Sequence, residues 1–187
     1  MAYNIVSRTF SDVVTVAEAV THLRIWDDSE DAHVQSLIDA ALDVSERYMN
    51  RLVAESTVII ERDTLTTQLP LGNAKSVQEV TYIIDSTEER VVLDSTLYSL
   101  NPITNKLVLK RSVKSSLENN KARDFQITFV TGWSPNEVPA AVKQGILMLV
   151  GSMYVMPEDA AVGQGVTVTK VPVTHQYLFN KYKLHAV

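Results

Sequence analysis

Residues 145–156, Gly-Ile-Leu-Met-Leu-Val-Gly-Ser-Met-Tyr-Val-Met, constrain this chain more than any other stretch. Apart from Ser152 the run is apolar on every face of a helix, which describes a helix surrounded by other protein rather than one lying on a surface. It is only about a dozen residues long, too short to cross a bilayer, so it reads as a buried core helix. Upstream, Pro139 suits the first helical position, where its missing N–H would go unpaired anyway, and Glu137 favours the positive end of the dipole. A helix is therefore expected over 139–155, and each large side chain it buries contributes about 1.5–3 kcal/mol. The rest of the chain must supply the cover.

A chain of 187 residues can bury one ample core or two subdomains that share one. With 45% hydrophobic and 21% charged residues it has the composition of an ordinary globular protein. It contains no cysteine, which excludes disulfides, thiolate nucleophiles and sulfur-ligated zinc or iron–sulfur clusters, and fits assembly in a reducing cytoplasm. The opening Met-Ala-Tyr-Asn-Ile-Val lacks the basic and long apolar regions of a signal peptide, so neither export nor membrane anchoring is expected. A net charge of −5 argues against a general nucleic-acid binder, which gathers cations to replace phosphate counterions. It still allows a surface that lets DNA slide past without gripping it.

Residues up to about 12 mix apolar and polar types without a period and read as an arm. Thr15-Val16-Ala17-Glu18 has the form of a capping box, predicting a short helix to about Leu23. The acids of Asp27-Asp28-Ser29-Glu30-Asp31 suggest a calcium loop with Asp27, Ser29 and Asp31 as ligands. That reading fails on Ala32 at the sixth position, where glycine is needed, and Ile38 at the twelfth, where glutamate is needed. They are better explained as the dipole-favoured start of the next helix, expected over 30–51. There Val34, Leu37, Ile38, Ala41, Val44, Tyr48 and Met49 recur at three- and four-residue steps. Short runs rich in branched and aromatic residues follow at 57–62, 77–84, 91–93, 107–109 and 125–130, separated by Pro, Gly and Asn turn residues. The expected fold is α+β: one chain unit over 1–187, with a helical subdomain of 11–52 and 134–187 and an inserted antiparallel β-subdomain of 53–133. Residues 157–170, with Gly163 and Gly165, read as a flexible loop, and 172–183 as a short terminal helix with an apolar face.

Catalytic, cofactor and metal signatures are missing. His22, His33, His175 and His185 form no pair at zinc-site spacing, and Gly163-Gln164-Gly165 lacks the third glycine and the setting of a dinucleotide fingerprint. No catalytic residue, cofactor or metal is therefore expected, and an enzyme is the weakest of the function classes. One asymmetry stands out: Lys106, Lys110, Arg111, Lys114, Lys121 and Arg123 crowd one stretch against Glu118 and Asp124 only. It reads as a solvated β-hairpin tip or, alternatively, as a basic loop facing DNA or an acidic neighbour, Lys106, Lys110, Arg111 and Lys114 being the contacts.

In order along the chain, several segments carry a resemblance. They are Thr15-Val16-Ala17-Glu18-Ala19, Leu23-Arg24-Ile25, Asp31, Leu37-Ile38-Asp39-Ala40-Ala41, Glu46, Tyr48 and Arg51-Leu52, then Leu97-Tyr98-Ser99-Leu100 and Lys106-Leu107-Val108-Leu109. Phe129-Val130-Thr131-Gly132-Trp133, Val138-Pro139, Val142-Lys143-Gln144, Ile146 to Val150, Tyr154, Val171-Pro172, Leu178-Phe179 and Tyr182-Lys183 complete the set. Together they resemble the head–tail connector (neck adaptor or head-completion) family of tailed bacteriophages. Val20 and Lys181 depart from that pattern, standing where a lysine and a proline are common.

The resemblance implies a structural role in the neck of a virion, assembled in the host cytoplasm and without a membrane. The implied partners are the portal protein, the next neck or tail-completion protein, and further copies of the chain. About twelve copies would form a ring matched to the portal, through which genomic DNA passes without sequence-specific binding. Pro172, Val173, Tyr177, Leu178, Phe179, Tyr182 and Lys183 would then dock on the portal, because little chain remains to cover their apolar face. On that view, removing everything from Pro172 onward leaves a folded protein. The alternative function is a DNA-binding module built on 106–123.

Overall fold

The computed structural model describes residues 3–8, 13–25, 28–119, 121–155 and 174–185. Its strands are β1 (Tyr3–Arg8), β2 (Ser56–Arg62), β3 (Ser76–Ile84), β4 (Arg90–Val92), β5 (Tyr98–Asn101), β6 (Lys106–Leu109) and β7 (Ala122–Thr131). Its helices are α1 (Val16–Leu23), α2 (Asp31–Met49), α3 (Arg111–Asn119), α4 (Ala140–Val155) and α5 (Thr174–Asn180). Two compact units result, Met1–Thr9 with Ala54–Ser134 and Phe10–Val53 with Pro135–Val187. The class is α+β, as the sequence predicts.

The first unit is built on a five-stranded antiparallel sheet in the order β1-β2-β7-β3-β4. β7 takes the centre because it alternates most cleanly: Phe125, Ile127, Phe129 and Thr131 are buried, and the residues between them are half-buried. Across the ladder Val58 lies opposite Phe129, while Ile60 and Val80 flank Ile127 from either side, so one face of three strands forms a continuous core. At the end of β7 the backbone of Gly132 has φ +101°, and a Cβ there would strike the Ala54 carbonyl. Only glycine satisfies both conditions.

Two elements of this unit differ from expectation. The N-terminal residues form not a free arm but the edge strand β1, paired with β2 from Tyr3 opposite Ile60 to Arg8 opposite Ser56. A register shift between Ile5 and Ser7 breaks the alternation that would have revealed it. The basic stretch, in turn, is not a hairpin tip: after β6 it winds into α3, which buries Val113 and Leu117 one helical turn apart.

In the second unit α2 and α4 pack on each other, as their apolar faces require, with α1 and α5 against both. The buried side of α2 comprises Val34, Ile38, Ala41, Leu42, Ser45, Glu46 and Met49, and that of α4 Val142, Gly145, Ile146, Leu149 and Val150. The capping box at α1 is formed: the Thr15 N–H donates to Glu18 Oε2 at 2.8 Å, and the Glu18 N–H donates to Thr15 Oγ1 at 3.2 Å. α4 begins one residue after Pro139, whose carbonyl accepts from Val142 and Lys143. At the other end of α4, Tyr154 donates its hydroxyl to Glu30 at 2.6 Å, and that bond raises the phenol's pKa above its ordinary value.

Candidate functional site

The structure brings Lys106, Lys110, Arg111 and Lys114 together along β6 and the first turn of α3, all of them exposed. Along β6 and just past it, Lys106, Val108 and Lys110 share the parity opposite to buried Leu107, so they face solvent together. Lys110 also stands near Asp94, whose carboxyl is held below its usual range first by the Thr96 N–H and, to a smaller degree, by that lysine. Arg123 is drawn away from the group by Asp85 at 3.1 Å, Asp124 at 3.3 Å and Glu88 at 3.9 Å.

Next to the strip, the turn between β5 and β6 carries Ile103, which is 92% exposed. This turn is pinned on both sides. Asn101 Oδ1 accepts from the Ile103 and Thr104 N–H groups at 3.1 and 3.2 Å. The Asn105 carbonyl accepts from Leu69 N–H at 2.9 Å, and its side-chain oxygen accepts from Ala74 N–H at 2.8 Å. Ile103 is not among the residues that the sequence singles out; its signal is an aliphatic residue inside an Asn-Pro-x-x-Asn turn, where polar residues are usual.

The terminal segment requires a correction. Phe179 is completely buried in the helical unit, over Gly145 and beside Tyr48 and His175. A buried ring cannot also serve as an exposed docking anchor, and the expectation of too little chain to cover this face does not hold for it. The segment is tied down further by Tyr48 Oη donating to Asn180 at 2.6 Å and by Leu184 N–H donating to the Met49 carbonyl at 2.8 Å. Lys183 Nζ lies 4.5 Å from the centre of the Tyr48 ring. Tyr177 remains 79% exposed, Leu178, Tyr182 and Lys183 are half-buried, and Pro172, Val173, Gly163 and Gly165 lie outside the described residues.

α4 is not enclosed on all sides as its sequence suggests. Leu147 and Met148 are half-buried and Val155 is 72% exposed. Leu147 and the α1 residues Ala17, Glu18, Thr21 and His22 line an open, apolar recess of about 490 Å³. A second recess, about 440 Å³, is polar and lies over the sheet among Glu61, Arg62, Asp63, Arg90, Asp124 and Gln126. There Arg90 is already committed, donating to Thr81 at 3.1 Å and to the Asp124 carbonyl at 3.2 Å. Among the described residues no group of three or more His, Asp or Glu side chains could hold a metal ion, and no helix is long and apolar enough to cross a membrane.

No protein-family model and no curated protein matches the chain. Solved structures do. The fold is similar to a chain in the neck of an empty gene transfer agent (GTA) particle computed with C6 symmetry, with a TM-score of 0.75 at 18% identity. It is similar also to chains in the virion of the native GTA particle (0.74, 18%) and in the neck of the native particle computed with C12 symmetry (0.73, 17%). Each match covers 100% of this chain and 97% of the other. The chain therefore shares, from end to end, the fold of a chain found in the neck of these particles.

Proposed function

We propose that this protein is a structural head–tail connector of a phage-like particle, a ring subunit of the neck that extends the DNA channel from the portal. The observation that carries this reading is the end-to-end likeness to neck chains, over 100% of this chain and 97% of theirs. The resemblance to phage connectors in the sequence supports it independently. About twelve copies, matching the portal, would form the ring by contacts that close through rotation. Genomic DNA would pass through without base-specific binding, and the next neck or tail-completion protein would sit on the far side. No catalytic role is part of this reading.

The portal-facing candidates are Tyr177, Leu178, Tyr182 and Lys183, with Pro172 and Val173 preceding them; Phe179 holds α5 in place rather than meeting the partner. Electron microscopy of the purified protein mixed with portal-bearing heads tests the proposal. A ring added at one vertex is expected, and Tyr177→Ala should reduce its occupancy without unfolding the chain. Heads that stay bare in the presence of folded protein would overturn it.

A further inference from the structure

We infer that neighbouring copies of this chain meet by seating the β5–β6 turn, anchored by Ile103, in the recess between α1 and α4 of the next copy. The inference rests on the ring reading above and supplies the surfaces that close the ring.

Ile103 is an aliphatic side chain exposed at 92% on a turn whose backbone is clamped by Asn101 and Asn105. A knob held this way loses little conformational freedom on docking, which makes it a good anchor. The recess supplies the complementary need. From Gly145 onward α4 is apolar except for Ser152, yet its own unit leaves Leu147 half-covered in a shallow, open recess with Ala17, Glu18, Thr21 and His22.

Charge selects a second copy as the occupant. The strip beside the knob exposes Lys106, Lys110, Arg111 and Lys114, whereas residues 10–53, including α1 and α2, hold nine acidic residues against three basic ones. Such opposite potentials steer two copies together and fix their register. Arg111 and Lys114 moreover occupy the first turn of α3, where the helix dipole disfavours positive charge and no acid offsets it. An anionic neighbour relieves that conflict. Knob and recess are different surfaces of one chain, so the contact is heterologous: each copy uses both, and repetition gives a ring when the rotation between copies closes.

The lack of native cysteine permits a clean test on the full-length protein. With dioxygen and a copper–phenanthroline catalyst as the oxidant, Ile103→Cys mixed with Thr21→Cys should form disulfide heterodimers about tenfold or more faster than Ile103→Cys mixed with Thr87→Cys, because only the first pair is brought together by docking. A complementation experiment by sedimentation velocity guards against misfolding. Ile103→Asp alone and the Ala17→Lys/Thr21→Lys variant alone should each lose concentration-dependent assembly, and a 1:1 mixture should regain it, since the introduced carboxylate then meets a basic recess. Assembly that proceeds unchanged with Ile103→Asp would overturn the contact and leave the ring reading standing. No assembly of the parent, together with equal crosslinking of the two pairs, would overturn the contact, whereas portal-bearing heads left bare by the parent would overturn the ring reading. Salt-dependent retention on duplex DNA that is lost with Lys106→Glu/Lys110→Glu/Arg111→Glu/Lys114→Glu, without pair-selective crosslinking, would make the strip a nucleic-acid surface and overturn the contact as well.

Discussion

The ring of Phe179 lies on the bare backbone of Gly145, so close that a Cβ at that position would come within 2.7 Å of the ring's Cζ atom. A residue from the last turns of the chain thereby fills the space left by a missing side chain in the middle of α4. The terminal helix is part of the core of its unit.

Phe179→Ala should cost about 3–5 kcal/mol, the usual penalty for emptying a buried aromatic site, and Gly145→Val about 1–3 kcal/mol through overpacking. Because the two residues share one space, a Gly145→Val/Phe179→Ala double variant should lose less than the sum of the single losses. Urea denaturation measures all three; strict additivity would contradict the contact. Deleting 174–187 should destabilise the helical unit rather than leave it intact.

Glu46 is buried at 7% exposure, and its Oε1 accepts from the Val53 N–H at 2.6 Å. Glu46→Ala removes the acceptor for a buried donor, for which about 1–3 kcal/mol is expected. Glu46→Gln keeps an acceptor oxygen and should recover part of that loss. Equal stability of the alanine variant and the parent in thermal melts would count against the bond.

At Gly132 an alanine would ordinarily stabilise by narrowing the unfolded ensemble. Here the sign should reverse, because φ is +101° and the Ala54 carbonyl carbon is 2.8 Å from where the methyl would sit. A loss of about 1–3 kcal/mol is expected for Gly132→Ala, read as a lower denaturation midpoint.

Glu18 carries a pH dependence. Its carboxyl is held below the ordinary value of 4.5, first by the Thr15 N–H and then, against some desolvation, by Lys143, whose Nζ is 3.6 Å away. The folded carboxylate binds its proton less readily than the unfolded one. Its contribution is therefore fully present above pH 4.5 and is lost as the pH falls through the lower folded value. Glu18→Gln should flatten the acid side of the stability profile below that pH; an unchanged profile would show that the box does not couple to protonation.

Where the determinants are local, the sequence was enough. The continuous apolar run placed α4, and Pro139 placed its start. Three- and four-residue spacing placed α2, Thr15 and Glu18 marked their capping box, and the branched and aromatic run at 125–130 marked the strand that became the centre of the sheet. Each of these is a pattern of period or capping chemistry that survives without its partner.

Contacts between distant segments had no such signature. β1 is an edge strand with a register shift, so its order comes from β2's hydrogen bonds and not from its own alternation. α3 shows only Val113 and Leu117 among charged and polar residues, too little to announce a helix until a sheet offers them cover. Ile103 became a candidate only when folding clamped its turn and left it bare, and Phe179 ceased to be one when Gly145, 34 positions earlier in the chain, made room for it. Hydrophobicity says that a side chain seeks cover; which segment provides that cover is decided by tertiary packing.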